Sequence, residues 1–232
     1  MSVFCAITLT GKDAQKFLQG QLTINTAKLT DTPTACAICN LKGRVQFGLW
    51  VSQLSPDSFW LIIWAECVDE LVAHIKKYGA FSKFELSTPS PVFATLTDGV
   101  PTFSPNNDST PFDKWALASL AVGNYWITPP TQNAFQPQEL RLHQRGGVDY
   151  DKGCYLGQEI VARLYFKASP KAYLHRVRLN APAQAGDKIG KVSVLNAIGQ
   201  DALVVGTPDE VVQIGQVLAF GDDTLNQSVA RG

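Results

Sequence analysis

The chain has 232 residues, of which 45% are hydrophobic and 17% charged, and its 20 basic and 20 acidic residues give a formal net charge of zero. This composition excludes a fully disordered chain, and it lacks the basic excess that general nucleic-acid binding requires. No apolar run approaches the roughly 20 residues that cross a bilayer, and the N-terminus does not resemble a signal peptide. We therefore expect a cytoplasmic protein without membrane contact or direct nucleic-acid binding.

The first 86 residues alternate between strand and helix patterns. Apolar residues recur at helical spacing in two segments, 14–22 and 66–78, and His74 is expected on the exposed face of the second. Short β-branched and apolar runs predict five strands, at residues 3–9, 36–40, 45–51, 59–64 and 81–86. This mixture predicts an α+β fold.

The middle of the chain is interrupted by prolines. Residues 87–113 are rich in Pro, Ser, Thr, Asn and Asp, which predicts a loop or truncated connection with one short strand at 92–96. Pro137 suits the first turn of a helix over 138–144, which Gly146 and Gly147 would end.

The last third of the sequence changes character. From Tyr173 onward, short alternating runs are separated by Gly or Pro, which predicts a small antiparallel β-barrel or sandwich. We therefore divide the chain into an α+β core, residues 1–170, and a C-terminal β-barrel, residues 171–232.

The segment with the most distinctive chemistry is 151–163. Gly153 and Gly157 allow the backbone to bend before a helix predicted at 156–164. Cys154 would lie before the positive end of this helix, and Lys152 is close to it in sequence; both favour the thiolate. Cys154 is therefore a candidate reactive or ligating cysteine, although a half-buried structural cysteine is the alternative.

Cys36 and Cys39 have the spacing of a metal-binding pair. A four-thiolate zinc site needs a second pair, and the other cysteines are widely scattered in the sequence. The strand pattern of 36–40 would place the two side chains on opposite faces. We therefore expect structural cysteines, and an odd number of cysteines also argues against a disulfide framework.

The run Lys152-Gly153-Cys154-Tyr155-Leu156-Gly157-Gln158-Glu159 resembles the Lys-Gly-Cys-Tyr-x-Gly-Gln-Glu signature of the YgfZ family. Residues 17–23 are similar to the first helix of that family, and residues 42–44 to its Lys-Gly-Lys/Arg turn. YgfZ proteins bind folate, support iron–sulfur proteins and are related to the glycine-cleavage T-protein, an aminomethyltransferase. The resemblance implies a T-protein-like folate-binding core followed by a small β-barrel.

Two departures from the family pattern bear on function. Family members are longer, and the shortfall lies between Leu86 and Trp115, so the middle domain is expected to be shortened. T-protein relatives carry an Arg-x-Glu-x-Gly stretch whose Glu helps to hold folate, whereas the equivalent residues here, 119–123, contain neither charge. Aminomethyl transfer is therefore disfavoured.

The resemblance implies a set of site residues. Cys154 would be the working thiol, as a transient iron–sulfur ligand or as a redox or nucleophilic centre, and Lys152 would support its thiolate. The folate pocket would take its aromatic faces from Phe4 and Trp115, and further contributions from Tyr155, Gly157, Gln158, Glu159 and Arg163. Basic residues would bind the glutamate tail of the folate, with candidates at Lys42, Arg44, Arg141, Arg145, Lys152 and Arg163.

The resulting hypothesis is a protein that binds tetrahydrofolate and supports iron–sulfur cluster assembly or repair, with an indirect effect on tRNA modification. Its partners would be folate and, transiently, iron–sulfur proteins or their assembly factors. One thiol does not hold a stable cluster, so no permanent metal or cluster is expected. The alternatives are a folate-dependent one-carbon transferase and a degenerate scaffold that no longer binds folate.

Overall fold

A computed structural model describes residues 2–106 and 110–226. Its first sheet has seven antiparallel strands in the order β2-β3-β4-β1-β6-β7, and the short β5 pairs with β1 beside β6. The strands are β1 (Phe4–Thr10), β2 (Thr34–Cys39), β3 (Val45–Ser55), β4 (Ser58–Trp64), β5 (Glu85–Leu86), β6 (Ser90–Thr97) and β7 (Val100–Ser104). The predicted α+β character is confirmed, although the last of the early strands is much shorter than 81–86.

Helices cover both faces of this sheet. Helices α1 (Ala14–Gln19) and α2 (Val68–Tyr78) bury Leu18, Leu71 and other apolar side chains in a core on one face. Helix α3 (Phe112–Ala121) buries Trp115 in the core on the other face. Each face of the sheet therefore has its own apolar core. Burial of apolar surface stabilises each core by about 25 cal/mol per Å².

The segment predicted as a loop with one short strand at 92–96 forms a β-hairpin, whose first strand, β6, contains the predicted strand. Strands β6 and β7 pair around Asp98 and Gly99, which both have positive φ. An Asp-Gly pair with this geometry is a favoured two-residue hairpin turn. Pro101 is tolerated because β7 is an edge strand. Of the Pro-rich segment, residues 107–109 lie outside the described residues.

The helix predicted over 138–144 is absent, and residues 137–146 form successive turns. Two polar side chains of this segment are buried and form hydrogen bonds with residues that are distant in sequence. Gln138 donates to the carbonyl of Val161, and Arg141 donates to the carbonyl of Leu174. Arg141 also has a φ of 54°, which no α-helix accommodates. Tertiary hydrogen bonds therefore override the local helix signal.

The last third forms a second antiparallel sheet of five strands in the order β12-β8-β11-β10-β9. Its strands are β8 (Tyr173–Leu179), β9 (Lys188–Ile189), β10 (Val192–Ile198), β11 (Asp201–Gly206) and β12 (Gly215–Leu218). The predicted antiparallel β-structure is confirmed, but the pairings among the described residues do not close a barrel. Residues 227–232 of the predicted domain lie outside the described part of the chain.

Three further helices complete the fold: α4 (Gln158–Phe166), α5 (Pro208–Val211) and α6 (Asp223–Asn226). Helix α3 contacts strands of both sheets, so Leu174 and Leu203 of the second sheet share a core with Trp115. None of the helices within 2–106 and 110–226 is long and apolar enough to cross a membrane.

Candidate functional site

The motif loop, residues 151–157, is fastened by the buried side chain of Lys152. Its ammonium donates to the carbonyls of Gln19 at 2.7 Å, Leu22 at 2.5 Å and Ile24 at 2.8 Å. It also lies 4.9 Å from the centroid of the Tyr155 ring. Burial lowers the pKa of Lys152 to about 8. These three bonds use every N–H of the ammonium, so Lys152 shapes the loop and has no N–H left to donate to the thiol of Cys154. The predicted support of the Cys154 thiolate by the charge of Lys152 stays a prediction.

The motif loop also depends on a close backbone contact with the 42–44 turn. Gly157 has a φ of 78° and precedes α4, and a Cβ atom there would lie 2.3 Å from the carbonyl oxygen of Asn40. A Cβ atom on Gly43 would lie 2.8 Å from the Cβ of Ile160. The two sequence motifs that indicated the family therefore meet in space, and both glycines are required by the contact.

Gln158 links the two ends of the motif loop. Its side-chain oxygen accepts from the backbone N–H of Tyr155 at 3.3 Å, and its amide nitrogen donates to the carbonyl of Lys152 at 3.5 Å. The Tyr155 ring is buried against the core, with a pKa that burial raises well above its usual range. Tyr155, Gly157 and Gln158 thus hold the loop, whereas Glu159 and Arg163 are exposed on α4.

The motif loop presents Cys154 to solvent, and the other four cysteines of the chain are buried or half-buried. Burial raises the pKa of Cys39 and of Cys67 to about 12, and that of Cys36 further. Cys36 and Cys39 belong to the cores on opposite faces of the first sheet, as the strand pattern predicted. Cys154 is therefore the accessible thiol of the chain.

Phe4 and Trp115, the predicted aromatic faces of the folate pocket, are both fully buried. Their ring centroids are 5.1 Å apart, and the Trp115 indole donates to the carbonyl of Thr102 in β7. They belong to an aromatic cluster, made of Phe4, Trp50, Trp64, Phe103, Phe112, Trp115 and Trp126. Within the described residues, both rings are therefore enclosed by the other side chains of the cluster. Their predicted contact with folate stays a prediction.

A cleft of about 420 Å³, here called the Trp50 cleft, lies beside the aromatic cluster. The carbonyl oxygen of the Asn124 side chain accepts from the Trp50 indole at 3.2 Å and from Arg145 at 2.6 Å. The other terminal nitrogen of Arg145, Nη1, is buried and has no hydrogen-bond partner among the described residues. An indole, an amide and a guanidinium group therefore line one cavity, together with the carboxylate of Asp222.

The Trp50 cleft lies at the end of α3. Val122 and Asn124 line it, and residues 119–123 are the segment that the sequence aligned with the folate-contacting Arg-x-Glu-x-Gly stretch. Sequence reasoning included Arg145 among several basic candidates but missed Trp50 and Asn124. Trp50 lies in β3. The sequence pattern of a strand does not distinguish an aromatic residue that borders a cleft from one in the core.

Among the described residues, no group of three or more His, Cys, Asp or Glu side chains is arranged to hold a metal ion. Cys154 in particular has no such neighbours within that part of the chain. Any metal that it ligated would therefore need ligands from outside these residues.

Comparisons with known proteins bear on the resemblance that the motif indicated. No protein-family model matches the sequence. An uncharacterized protein of Haemophilus influenzae is 29% identical over 220 aligned positions, which cover 82% of this chain and 79% of the relative. The tRNA-modifying protein YgfZ of Klebsiella pneumoniae is 27% identical over 219 positions, covering 72% of this chain and 67% of the relative. The YgfZ protein of Buchnera aphidicola is also 27% identical, with 71% and 67% covered.

This chain is a relative of the YgfZ proteins. The fold agrees with that relationship, because the structure superposes on the glycine cleavage system aminomethyltransferase T of Bartonella henselae with a TM-score of 0.63. The match has 12% sequence identity and covers 89% of this chain and 76% of the aminomethyltransferase. The chain thus has a T-protein-like fold, and it matches about two thirds of the length of the YgfZ proteins named above.

Proposed function

We propose that this YgfZ relative binds a reduced folate in the Trp50 cleft and supports the assembly or repair of iron–sulfur proteins through Cys154. The effect on tRNA modification is indirect and passes through iron–sulfur enzymes that modify tRNA. Its YgfZ relatives are known as tRNA-modifying proteins, which supports the last step.

The observation that carries the folate proposal is the position of Arg145 on the wall of the Trp50 cleft, where Asn124 holds it and Asp222 also lines the cavity. A ligand acceptor that reaches the guanidinium group forms a charged hydrogen bond, which contributes roughly 1.5–3 kcal/mol. A pterin offers ring acceptors and a flat face for Trp50, and folate also carries carboxylates that suit a guanidinium group. The volume of about 420 Å³ lies within the range of small-molecule sites.

This placement changes the roles of Phe4 and Trp115. They support the site from behind, because the Trp50 ring packs against both, with centroids 5.7 Å from Phe4 and 6.4 Å from Trp115. Their effect on folate would therefore be through the position of the Trp50 ring and not through contact.

The folate proposal is tested by calorimetric titration of the protein with tetrahydrofolate, followed in parallel by tryptophan fluorescence. We expect saturable binding that Arg145→Met weakens by about tenfold or more, because a charged hydrogen bond contributes roughly 1.5–3 kcal/mol. Arg178→Met is the matched control, since Arg178 lies on the second sheet in an exposed ion pair with Asp201. Binding that is absent, or that Arg145→Met leaves unchanged, would refute the assignment of the Trp50 cleft.

The role of Cys154 requires a separate test in cells. In a strain that depends on this protein, we expect Cys154→Ser to lower the tRNA nucleosides made by iron–sulfur enzymes, with tetrahydrofolate affinity unchanged. Cys5→Ser is the control, because Cys5 is half-buried in β1. Normal nucleoside levels with Cys154→Ser would leave a folate-binding protein whose function does not depend on the thiol.

The main competing function, one-carbon transfer, is tested by a separate incubation of the protein with a one-carbon derivative of tetrahydrofolate and an amine acceptor, in which a transferase would consume the derivative. We expect binding without turnover, because residues 119–123 lack the Arg and Glu of the T-protein pattern. Turnover that persists in Cys154→Ser would favour the transferase.

A further inference from the structure

A second cleft lies beside the motif loop and takes no part in the proposed folate site. This Tyr165 cleft has a volume of about 580 Å³, which is within the range of ligand sites. Its walls come from the segment that follows α1, from residues 146–151 and from the end of α4. Ile24, Leu29 and Val148 are the apolar residues among its lining that come from outside α4.

One wall of the Tyr165 cleft is an aromatic corner. Tyr150 and Tyr165 stack with ring centroids 3.7 Å apart, and Phe166 stands across both, at 84° to the ring of Tyr165 and 71° to that of Tyr150. Tyr150 is fixed from behind by the side-chain amide of Gln138, which contacts its hydroxyl at 3.1 Å. Phe166 is 62% exposed, so it presents a large apolar face to solvent. The rings of Tyr150 and Tyr165 support it from the other side.

Two carboxylates, on either side of Tyr150 in sequence, also line the Tyr165 cleft. Asp149 bonds the ammonium of Lys28 at 2.5 Å, and this bond holds the pKa of Asp149 below its usual range. Asp151 is exposed and forms no ion pair among the described residues. Lys28 itself is 70% exposed. The cleft thus already holds one alkylammonium group on a carboxylate, in a surface pair of the kind that contributes only about 0–1 kcal/mol.

We propose that the Tyr165 cleft binds an organic cation, an alkylammonium or guanidinium group carried on an aliphatic stem. The stem lies on the apolar floor formed by Ile24, Leu29 and Val148. The cation lies against the Phe166 ring and bonds Asp151, an arrangement in which aromatic faces and carboxylates act together. The Lys28–Asp149 pair marks the kind of group that this wall accepts, and it competes with the ligand for Asp149.

Such a cation has two sources, a free amine or the Lys or Arg side chain of a partner protein. The wall that carries Asp149 and Asp151 continues directly into the loop that presents Cys154. A partner whose basic side chain entered the cleft would therefore be held beside the exposed thiol. The inference itself does not rest on folate binding, which concerns the other cleft.

The test is calorimetric titration of the full chain with three probes: n-butylammonium, N-acetyl-arginine amide and a short peptide with one central arginine. Saturation by n-butylammonium indicates a free amine, and saturation by the peptide alone indicates a partner side chain. In either case Phe166→Ala and Asp151→Asn should each weaken binding by about fivefold. Lys28→Gln should strengthen it by roughly threefold, because it frees Asp149 from an exposed pair.

Matched controls separate the cleft from general surface effects. Phe81→Ala removes another fully exposed phenylalanine, and Lys191→Gln removes an exposed, ion-paired lysine of the second sheet. Neither should change the affinity. The proposal is overturned if no probe saturates at concentrations up to about 10 mM, or if the cleft variants and the controls behave alike. Both principal variants alter exposed side chains, so loss of folding does not obscure the result.

Discussion

The aromatic cluster and the motif loop are both ordered, but different forces hold them. The cluster consists of rings in edge, tilted and stacked contact, with centroids 4.8–6.4 Å apart, so it depends on apolar burial and dispersion. The motif loop buries the ring of Tyr155 but depends mainly on a buried ammonium and on two glycines. This difference indicates that most residues of the 152–159 motif serve to hold the Cys154 loop in place.

The largest expected effect is in the aromatic cluster. Phe4→Ala should lower the free energy of unfolding by about 4 kcal/mol, because Phe4 is fully buried among other rings and the cavity cannot refill. Urea unfolding followed by far-UV circular dichroism measures this loss. Phe81→Ala, an exposed position, should change stability by less than about 0.5 kcal/mol. A small loss for Phe4→Ala together with a large loss of folate affinity would restore Phe4 as a ligand contact.

The counterpart in the motif loop is Lys152→Met, which keeps the length of the side chain and removes the ammonium. Three carbonyls lose their shared donor, so we expect the free energy of unfolding to fall by about 3 kcal/mol. Lys167→Met, on an exposed lysine directly after α4, is the control. If Lys152→Met kept full stability but abolished the reactivity of Cys154 toward iodoacetamide, Lys152 would act on the thiol after all.

A smaller effect is expected for the close contact between the motif loop and the 42–44 turn. Gly157→Ala should destabilise the protein by about 2 kcal/mol more than Gly146→Ala. Both glycines have positive φ, at 78° and 72°, but a Cβ atom on Gly146 meets nothing within 4 Å, whereas one on Gly157 meets the backbone of Asn40. The two variants, compared by urea unfolding, therefore separate the close approach from the backbone conformation. Equal losses would show that the contact contributes nothing.

The sequence predicted the outer frame of the fold well. Strands β1 to β4 and helix α2 have clear periodicity, and α4 was expected within two residues of where it lies. Strand β6 was predicted in part, at 92–96, but β7 and its pairing with β6 were missed because Pro101 broke the strand pattern, although the Asp98-Gly99 pair is a hairpin signal. At 138–144 a helix was predicted where none forms. Gln138 and Arg141 donate hydrogen bonds to carbonyls that are distant in sequence, which no local pattern reveals.

The candidate site was predictable in identity but not in geometry. The motif located Cys154 and its loop, whereas the bonds from Lys152 to three carbonyls could not be inferred from proximity in sequence. Phe4, Trp50 and Trp115 all have the pattern of core residues, so the sequence could not indicate which of the three rings borders a cavity. Their roles are distinguished by which ring borders a cavity, and that depends on the packing of β7 and α3 against them.

The smallest expected effect concerns His74, which was predicted to be exposed on α2. It is buried, its Nε2 lies 2.8 Å from the side-chain oxygen of Gln21, and burial together with Lys77 lowers its pKa from 6.5 to about 4. Because the folded protein holds the imidazole neutral, this contribution to stability is present above pH 6.5 and is lost as the pH falls from 6.5 toward 4. Between pH 7 and pH 5, His74→Gln should therefore lose about 1 kcal/mol less stability than the unmodified protein, as measured by urea unfolding. His143 and His175, whose pKa values burial also lowers, contribute equally to both proteins. An identical pH dependence in the variant would mean that His74 is protonated as readily in the folded chain as in the unfolded one, and hence that α2 does not keep it from solvent.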